Sequence, residues 1–382
     1  MKENLPRIFL SPPHMGGDEL ELIKDVFKSN YIAPVGKHIT LFENEIAKYV
    51  GIKGAVALCS GTAAIHLALR LINIKPDDIV FCSSLTFIGS ANPILYENAI
   101  PVFIDSEPET WNMSPVALAN AFERYVHQGK KPKAVIVVNL YGQSADMDPI
   151  LKICDDYKTP LIEDAAESIG AKYHEKNSGS FGDFSILSFN GNKMITTSGG
   201  GMLLSNNLKA LEKARFWSTQ ARNQAIHYEH SELGYNYRLS NVLAAIGLGQ
   251  LKVLDHHVQA CRNIFIRYQN ELGGLSGVDF MPEPIGYRSN RWLSVMRLNP
   301  KICAQTPIKL INHLENNNIE SRPVWKPMHL QPIFQGTDFW AHHNQKPVCE
   351  HLFETGLCLP SGSGMTDDDQ NRVIDCLRSL LS

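Results

Sequence analysis

Seven short runs of apolar, largely β-branched residues mark the first two thirds of the chain, with helix-patterned stretches between several of them. They occupy residues 55–58, 79–82, 101–104, 134–138, 161–162, 184–189 and 201–204. Several are apolar at successive positions rather than alternating, as strands covered on both faces are. Crossover helices return the chain to the same end of a sheet, so strands linked this way lie parallel. The pattern predicts an α/β fold built on a mostly parallel sheet.

Residues 62–72 place Ile65, Leu69 and Ile72 at helical spacing, and 148–157 opens with Pro149, a residue tolerated in a first helical turn. Residues 241–272 read as a long helix, broken or bent near 253–257, after which the sheet rhythm weakens. A boundary there gives a large domain over 1–254 and a smaller C-terminal α+β domain over 255–382. The latter holds a strand pattern at 291–298, a helix opened by Thr306-Pro307 and a terminal helix from Thr366. The acids at 367–369 resemble a metal cluster, but a threonine with an aspartate three residues on is a capping box, which is the reading preferred.

Composition narrows the partners. Thirty-six Lys and Arg against 39 Asp and Glu leave a formal charge of −3, with no clustered cations of the kind that bind nucleic acid or a membrane surface. No apolar run approaches the ~20 residues needed to span a bilayer. The eight cysteines are scattered without zinc-like spacing, so reduced thiols and a cytoplasmic location are expected. The segment 227–230 and the pairs His256-His257 and His342-His343 lack a metal-binding geometry, and no metal is predicted.

Three segments carry chemistry. Residues 59–64 follow a strand and open a helix, placing amides and a hydroxyl at a positive helix end; they read as an anion cradle or as an ordinary capped turn. The strand at 161–162 ends in acids, and in open α/β sheets ligands sit beyond the carboxyl ends of strands. Asp164 there can hold a proton on a heteroaromatic nitrogen, or merely cap a turn. Lys193 follows the run at 184–189 in a turn, where a desolvated amine can form an imine, although most turn lysines simply face solvent.

The order and spacing of these segments resemble the DegT/StrS sugar aminotransferases, pyridoxal-phosphate enzymes of the aspartate-aminotransferase fold (fold type I), over essentially the whole chain. Matching segments are 60–64, 85–87, 163–167, 188–193, 234–241 and 356–362. The resemblance implies that Lys193 binds the cofactor covalently, Asp164 pairs with its ring nitrogen, and Phe87 stacks on the ring. It implies further that Gly61, Thr62, Ala63 and Ser188 hold the phosphate. Asn236 would reach the phosphate of a neighbouring subunit, making the protein a homodimer with shared active sites. Glu167, where many members carry glutamine, would lie near the ring's phenolic oxygen.

Within the family, residues 9–17, 28–34, 217–222, 227–230 and 289–294 look most like aminotransferases of the bacillosamine pathway. That likeness implies transfer of the amino group of glutamate to C4 of UDP-2-acetamido-2,6-dideoxy-4-keto-glucose, for surface-glycan biosynthesis. Its 4-keto-altrose epimer, or a dTDP- or GDP-4-keto-6-deoxyhexose, are the alternatives. By analogy Asn30, Tyr31, Ile32 and Ala33, with Met328, His329, Leu330 and Gln331, line the sugar site. Arg288, Arg291 and Trp292 combine cations with a flat surface, suiting a nucleoside diphosphate, or are a packed tryptophan between surface arginines. Other pyridoxal-phosphate reactions and a non-enzymatic sensor of cofactor or sugar nucleotide remain as competing classes.

Overall fold

The computed structural model describes residues 6–343 and 345–381. Strands β1 (Gly54–Leu58), β2 (Ile79–Ser83), β3 (Ile100–Ile104), β4 (Ala134–Val138) and β5 (Leu161–Asp164) fall on the first five apolar runs. A short hairpin of β6 (Lys172–Tyr173) and β7 (Lys176–Asn177) precedes β8 (Phe184–Ser188) and β9 (Gly201–Ser205). The last third contributes β10 (Val278–Phe280), β11 (Tyr287–Arg288), β12 (Ser294–Leu298), β13 (Arg322–Pro323), β14 (Phe339–Trp340) and β15 (Gly356–Leu359).

The large sheet has eight strands in the order β1-β9-β8-β5-β4-β2-β3-β14. Its pairs are parallel except that β9 runs against both β8 and β1. A second sheet, β10-β12-β15-β13, is antiparallel throughout and packs on the helices Leu254–Leu272 and Asp367–Leu381. Two segments cross between these bodies. Ile8 bridges to Ile319 within the core of the smaller sheet, and β14 joins the edge of the large sheet beside β3.

Local signals set most element ends. Ser60, Ser114, Thr306 and Thr366 each accept an amide three residues ahead, and the Thr366 hydroxyl also donates to Asp369 Oδ2. The long helical stretch is two helices, Asn241–Lys252 and Leu254–Leu272, broken at Val253 alone, where φ is −108° and ψ 4°. The expected strand over 291–298 starts later, at Ser294, because Arg291 takes a φ of 54°, which no strand residue adopts. No helix among the described residues is long and apolar enough to cross a membrane.

The reversed strand β9 brings its first residue against the turn that follows β1. A Cβ on Gly201 would lie 2.2 Å from the Ser60 carbonyl carbon and 2.3 Å from the Gly61 nitrogen, so only glycine fits without moving backbone. Gly201→Ala should therefore lower unfolding free energy by about 1–3 kcal/mol and displace the start of the helix Gly61–Leu71. Denaturant melts that superimpose on those of the wild type would contradict this packing.

Candidate active site

A cavity of about 940 Å³ opens beyond the carboxyl ends of β1, β2, β5 and β8. Its wall includes Gly61, Thr62, Phe87, Asp164, Glu167, Ser188 and Lys193, which had been separate motifs in the sequence. The smaller sheet's side supplies Trp292, Arg322, Trp325 and Lys326, and the N-terminal segment supplies Phe9 to Pro13.

Strand periodicity divides the two acids at the end of β5. Glu163 is consumed by structure, accepting from Asn139, the Gly179 and Phe181 amides, and Ser185. Asp164 points the other way, into the cavity, and is almost fully buried. Ser90 Oγ donates to its Oδ2 at 2.6 Å and the Ala166 amide to its Oδ1 at 3.1 Å. Burial pushes its carboxyl upward, opposed by these two donors and by the charge of Lys193.

Lys193 sits in a turn closed by its own amide on the Asn190 carbonyl, and its side chain is 12% exposed. Its Nζ lies 4.0 Å from the centre of the Trp292 ring and 3.7 Å from Glu167 Oε1. The turn is fixed from two directions, since Trp292 Nε1 and Ser11 Oγ both donate to the Asn192 carbonyl. Glu167 is oriented by the Tyr141 amide, which donates to Oε2 at 2.7 Å. Burial raises the Glu167 carboxyl to about 7 against the opposing pull of Lys193.

The segment that opens the helix Gly61–Leu71 forms a capped turn on the cavity wall. Ser60 caps the helix by accepting the Ala63 amide, which leaves the Gly61 and Thr62 amides without an intrahelical acceptor. Ser188 stands beside Gly61 at the end of β8. The Ala63 amide is thus already engaged, and Ala63 is not part of the cavity wall. Phe87 leaves 60% of its surface exposed on that wall, with its ring centre 5.8 Å from that of Trp325. An amine for an aldehyde, an acid for a ring nitrogen, amides and hydroxyls for a phosphate, and an aromatic face together fit pyridoxal phosphate.

Other sequence candidates lie elsewhere. Asn236 is exposed, away from the cavity of its own chain. Asn30, Tyr31, Ile32 and Ala33 are exposed beyond the helix Glu19–Ser29 and do not line the single-chain cavity. Nor do Met328, His329, Leu330 and Gln331; His329 bonds Ser84 and Glu350 and stacks on Phe339. The reading of Arg288 and Arg291 as diphosphate ligands needs correction. Arg288 pairs with Lys172 in the three-stranded sheet. Arg291 is buried over the Phe265 ring, donating to the Met281 carbonyl beside Glu283, so burial lowers its pKa to about 10. Trp292 does reach the site, but as the surface behind Lys193. The exposed cations of the wall are Arg322 and Lys326, which motif reading passed over. They lie on a segment whose place is set by pairing of β13 with β15, a contact with no local signature.

A turn lysine facing a buried acid across an anion cradle defines a pyridoxal-phosphate enzyme, and the chain belongs to the DegT/DnrJ/EryC1/StrS aminotransferase family, which it matches over residues 13–378. EpsN of Bacillus subtilis is 57% identical over 374 residues, 98% of this chain and 96% of that protein. The GDP-perosamine synthase of Caulobacter vibrioides is 37% identical over 381 residues, 99% of each chain. The UDP-4-amino-4,6-dideoxy-N-acetyl-beta-L-altrosamine transaminase of Campylobacter jejuni is 37% identical over 348 residues, 91% of this chain and 90% of that protein. A crystal structure of a family aminotransferase from Brucella abortus superimposes with a TM-score of 0.87 at 28% identity, covering 95% of both chains. The protein is accordingly a pyridoxal-phosphate-dependent sugar aminotransferase of fold type I.

Glu167 gives a pH signature. In the folded chain it keeps its proton up to about pH 7, whereas an unfolded glutamate loses it near ~4.3. Between those values the folded state binds more protons, so its stability falls as pH rises through the window. Glu167→Gln has no such loss. Melts of the cofactor-free protein should show the variant gaining on the wild type by on the order of 1 kcal/mol between about pH 5 and about pH 8. A constant difference across that range would show that Glu167 is ionised throughout.

Proposed function

We propose that the protein transfers the amino group of glutamate to C4 of a 4-keto-6-deoxy nucleotide sugar, with UDP-2-acetamido-2,6-dideoxy-4-keto-glucose as its substrate. The observation that carries the transfer chemistry is Lys193, Asp164 and Glu167 converging on one wall of the cavity. The UDP-sugar assignment is supported by the likeness of residues 9–17, 28–34, 217–222, 227–230 and 289–294 to bacillosamine-pathway enzymes, and by the Campylobacter relative. A GDP-linked 4-keto sugar is the second reading, favoured by the equal identity to the Caulobacter synthase.

When bound, the cofactor supplies an aldehyde for an amine and a ring that draws electrons from the adjacent carbon. The chain's residues do the rest. The Asp164 carboxylate would accept the ring N–H and keep that nitrogen protonated. The Gly61 and Thr62 amides, with the Thr62 and Ser188 hydroxyls, would hold the phosphate, and Phe87 would cover one ring face. Lys193, once its amine is free, would take the proton from the α-carbon of glutamate and pass it to the cofactor; a water supplies the keto oxygen of the 2-oxoglutarate that leaves, and the amino group stays behind on the cofactor. In the second half it delivers a proton to C4 of the sugar, whose keto oxygen departs as water. Trp292 shields that amine from solvent, and Glu167 orients it. Arg322 and Lys326 meet the diphosphate.

The test is a product assay with glutamate and a panel of UDP-, dTDP- and GDP-linked 4-keto-6-deoxy sugars. The amine should form fastest from the UDP-acetamido sugar, and Lys193→Ala should abolish it. Arg322→Ala should raise the KM for sugar nucleotide several-fold, leaving that for glutamate unchanged, since roughly 1 kcal/mol of a charge-assisted contact is lost. Faster turnover of a GDP sugar would replace the substrate assignment, and turnover by Lys193→Ala would end the proposal.

We infer further that the protein works in the cytoplasm, because the cysteines among the described residues are all free thiols; activity confined to an extracytoplasmic fraction would overturn this. We also infer a homodimer. Asn236 lies outside its own cavity, while Phe27, Tyr31, Ile32, Ile226 and Tyr228 leave large apolar surfaces exposed. Asn236 then completes the phosphate site of the second copy. Mixing inactive Lys193→Ala with inactive Asn236→Asp subunits should restore part of the activity, because one of the hybrid's two sites is intact. Mixtures as inactive as their parents would remove Asn236 from the neighbouring site.

A further inference from the structure

The turn after β2 holds two hydroxyls that the mechanism above leaves without a role. Thr86 and Ser90 are buried, at 0% and 2% exposure, with their oxygens 2.7 Å apart. Ser90 Oγ lies 2.6 Å from Asp164 Oδ2, and Thr86 Oγ1 lies 3.3 Å from the Phe87 carbonyl. Each hydroxyl has one proton to donate. Beside an ionised Asp164, which only accepts, Ser90 donates to the carboxylate and Thr86 donates to Ser90. Beside a protonated Asp164 the direction reverses, and Thr86 donates to the Phe87 carbonyl. The first arrangement ends on a charge, which makes its bonds the stronger. The Ala166 amide cannot reverse, and it also favours the ionised form.

We propose that Thr86 and Ser90 are positioning residues for the reaction, a two-hydroxyl relay that keeps Asp164 ionised and aims its free lone pairs at the ring nitrogen. The inference deepens the proposed function and rests on Asp164 being the ring's partner. Three other ionisable groups face Asp164. Lys193 favours its charge; Glu167, when ionised, opposes it; the Cys82 thiol beneath is held neutral by burial. Of the influences that pull the Asp164 carboxyl back from the effect of burial, the Ser90 hydroxyl is the largest. The backbone of the turn is held independently of the two hydroxyls, by the amides of Ser90 and Ala91 on the Phe87 and Ile88 carbonyls, and Ser90 lies on the cavity wall.

The experiment uses holoenzyme loaded with pyridoxal phosphate labelled with nitrogen-15 in the ring, following the nitrogen resonance against pH together with the cofactor dissociation constant. Ser90→Ala should lower the titration midpoint of the ring N–H by about one unit, a tenfold change in its proton affinity, and weaken cofactor binding by a similar factor. Thr86→Val, nearly isosteric, should shift both in the same direction by less, and Thr86→Ser should restore wild-type values. Wild-type titration in Ser90→Ala and Thr86→Val would overturn the relay, and if Ser90→Ala does not fold, Thr86→Val decides alone. Asp164→Asn separates the two levels. If it shifts the ring titration while both hydroxyl variants do not, only the relay falls; if it shifts nothing, the role of Asp164 falls too.

Discussion

A carboxylate buried at the end of a strand is costly to keep charged, since even after relaxation a dehydrated ion loses several kcal/mol of solvation. Much of the surrounding architecture answers that cost at Asp164. The strand β5 delivers it at the sheet's carboxyl end, the next turn returns the Ala166 amide to it, and the turn after β2 brings Ser90. Lys193 then supplies the opposite charge from the turn that follows the neighbouring strand β8. Asp164 and Glu167 share the charge of one lysine amine, so beside Lys193 one negative charge is left over, or one proton is retained at Glu167 near neutrality. A ligand carrying a ring cation at one end and a phosphate at the other matches this distribution of charge and donors.

The reversal of β9 makes that arrangement compact. Because β8 and β9 are antiparallel neighbours, the segment joining them stays at one end of the sheet, and Lys193 is carried on it above the cavity. The same reversal presses Gly201 on the start of the helix Gly61–Leu71. Lysine, cradle and acid are therefore held by a single piece of hydrogen-bonded sheet, which gives the rigidity that a reaction dependent on sub-ångström proton positions requires.

The sheet was legible because its strands are buried on both faces and so announce themselves as unbroken apolar runs. Asp164, Lys193 and the Ser60 cap were legible because strand ends and helix starts are local events. Other features depend on contacts distant in sequence. Glu163 and Asp164 look alike along the chain, and only burial on opposite faces separates a structural acid from a functional one. Arg291 resembles a surface cation until its positive φ turns it onto Phe265. Two-residue strands such as β13 and β14 carry too little pattern to register, yet they place Arg322 and extend the large sheet. Thr86 and Ser90 fall among small polar residues of a turn, where hydroxyls are common, and their meaning depends on a side chain 74 positions away.

The Asn192 carbonyl receives one donor from residue 11 and another from residue 292. These come from near the beginning of the chain and from well into its final third, so a polypeptide emerging from the ribosome cannot clamp the lysine turn until most of it has been made. Closure of the lysine turn thus waits on synthesis beyond residue 292. A truncated product ending soon after β9 would carry the reactive amine and its acid but neither the indole screen nor the clamp, leaving the amine open to water and to stray aldehydes.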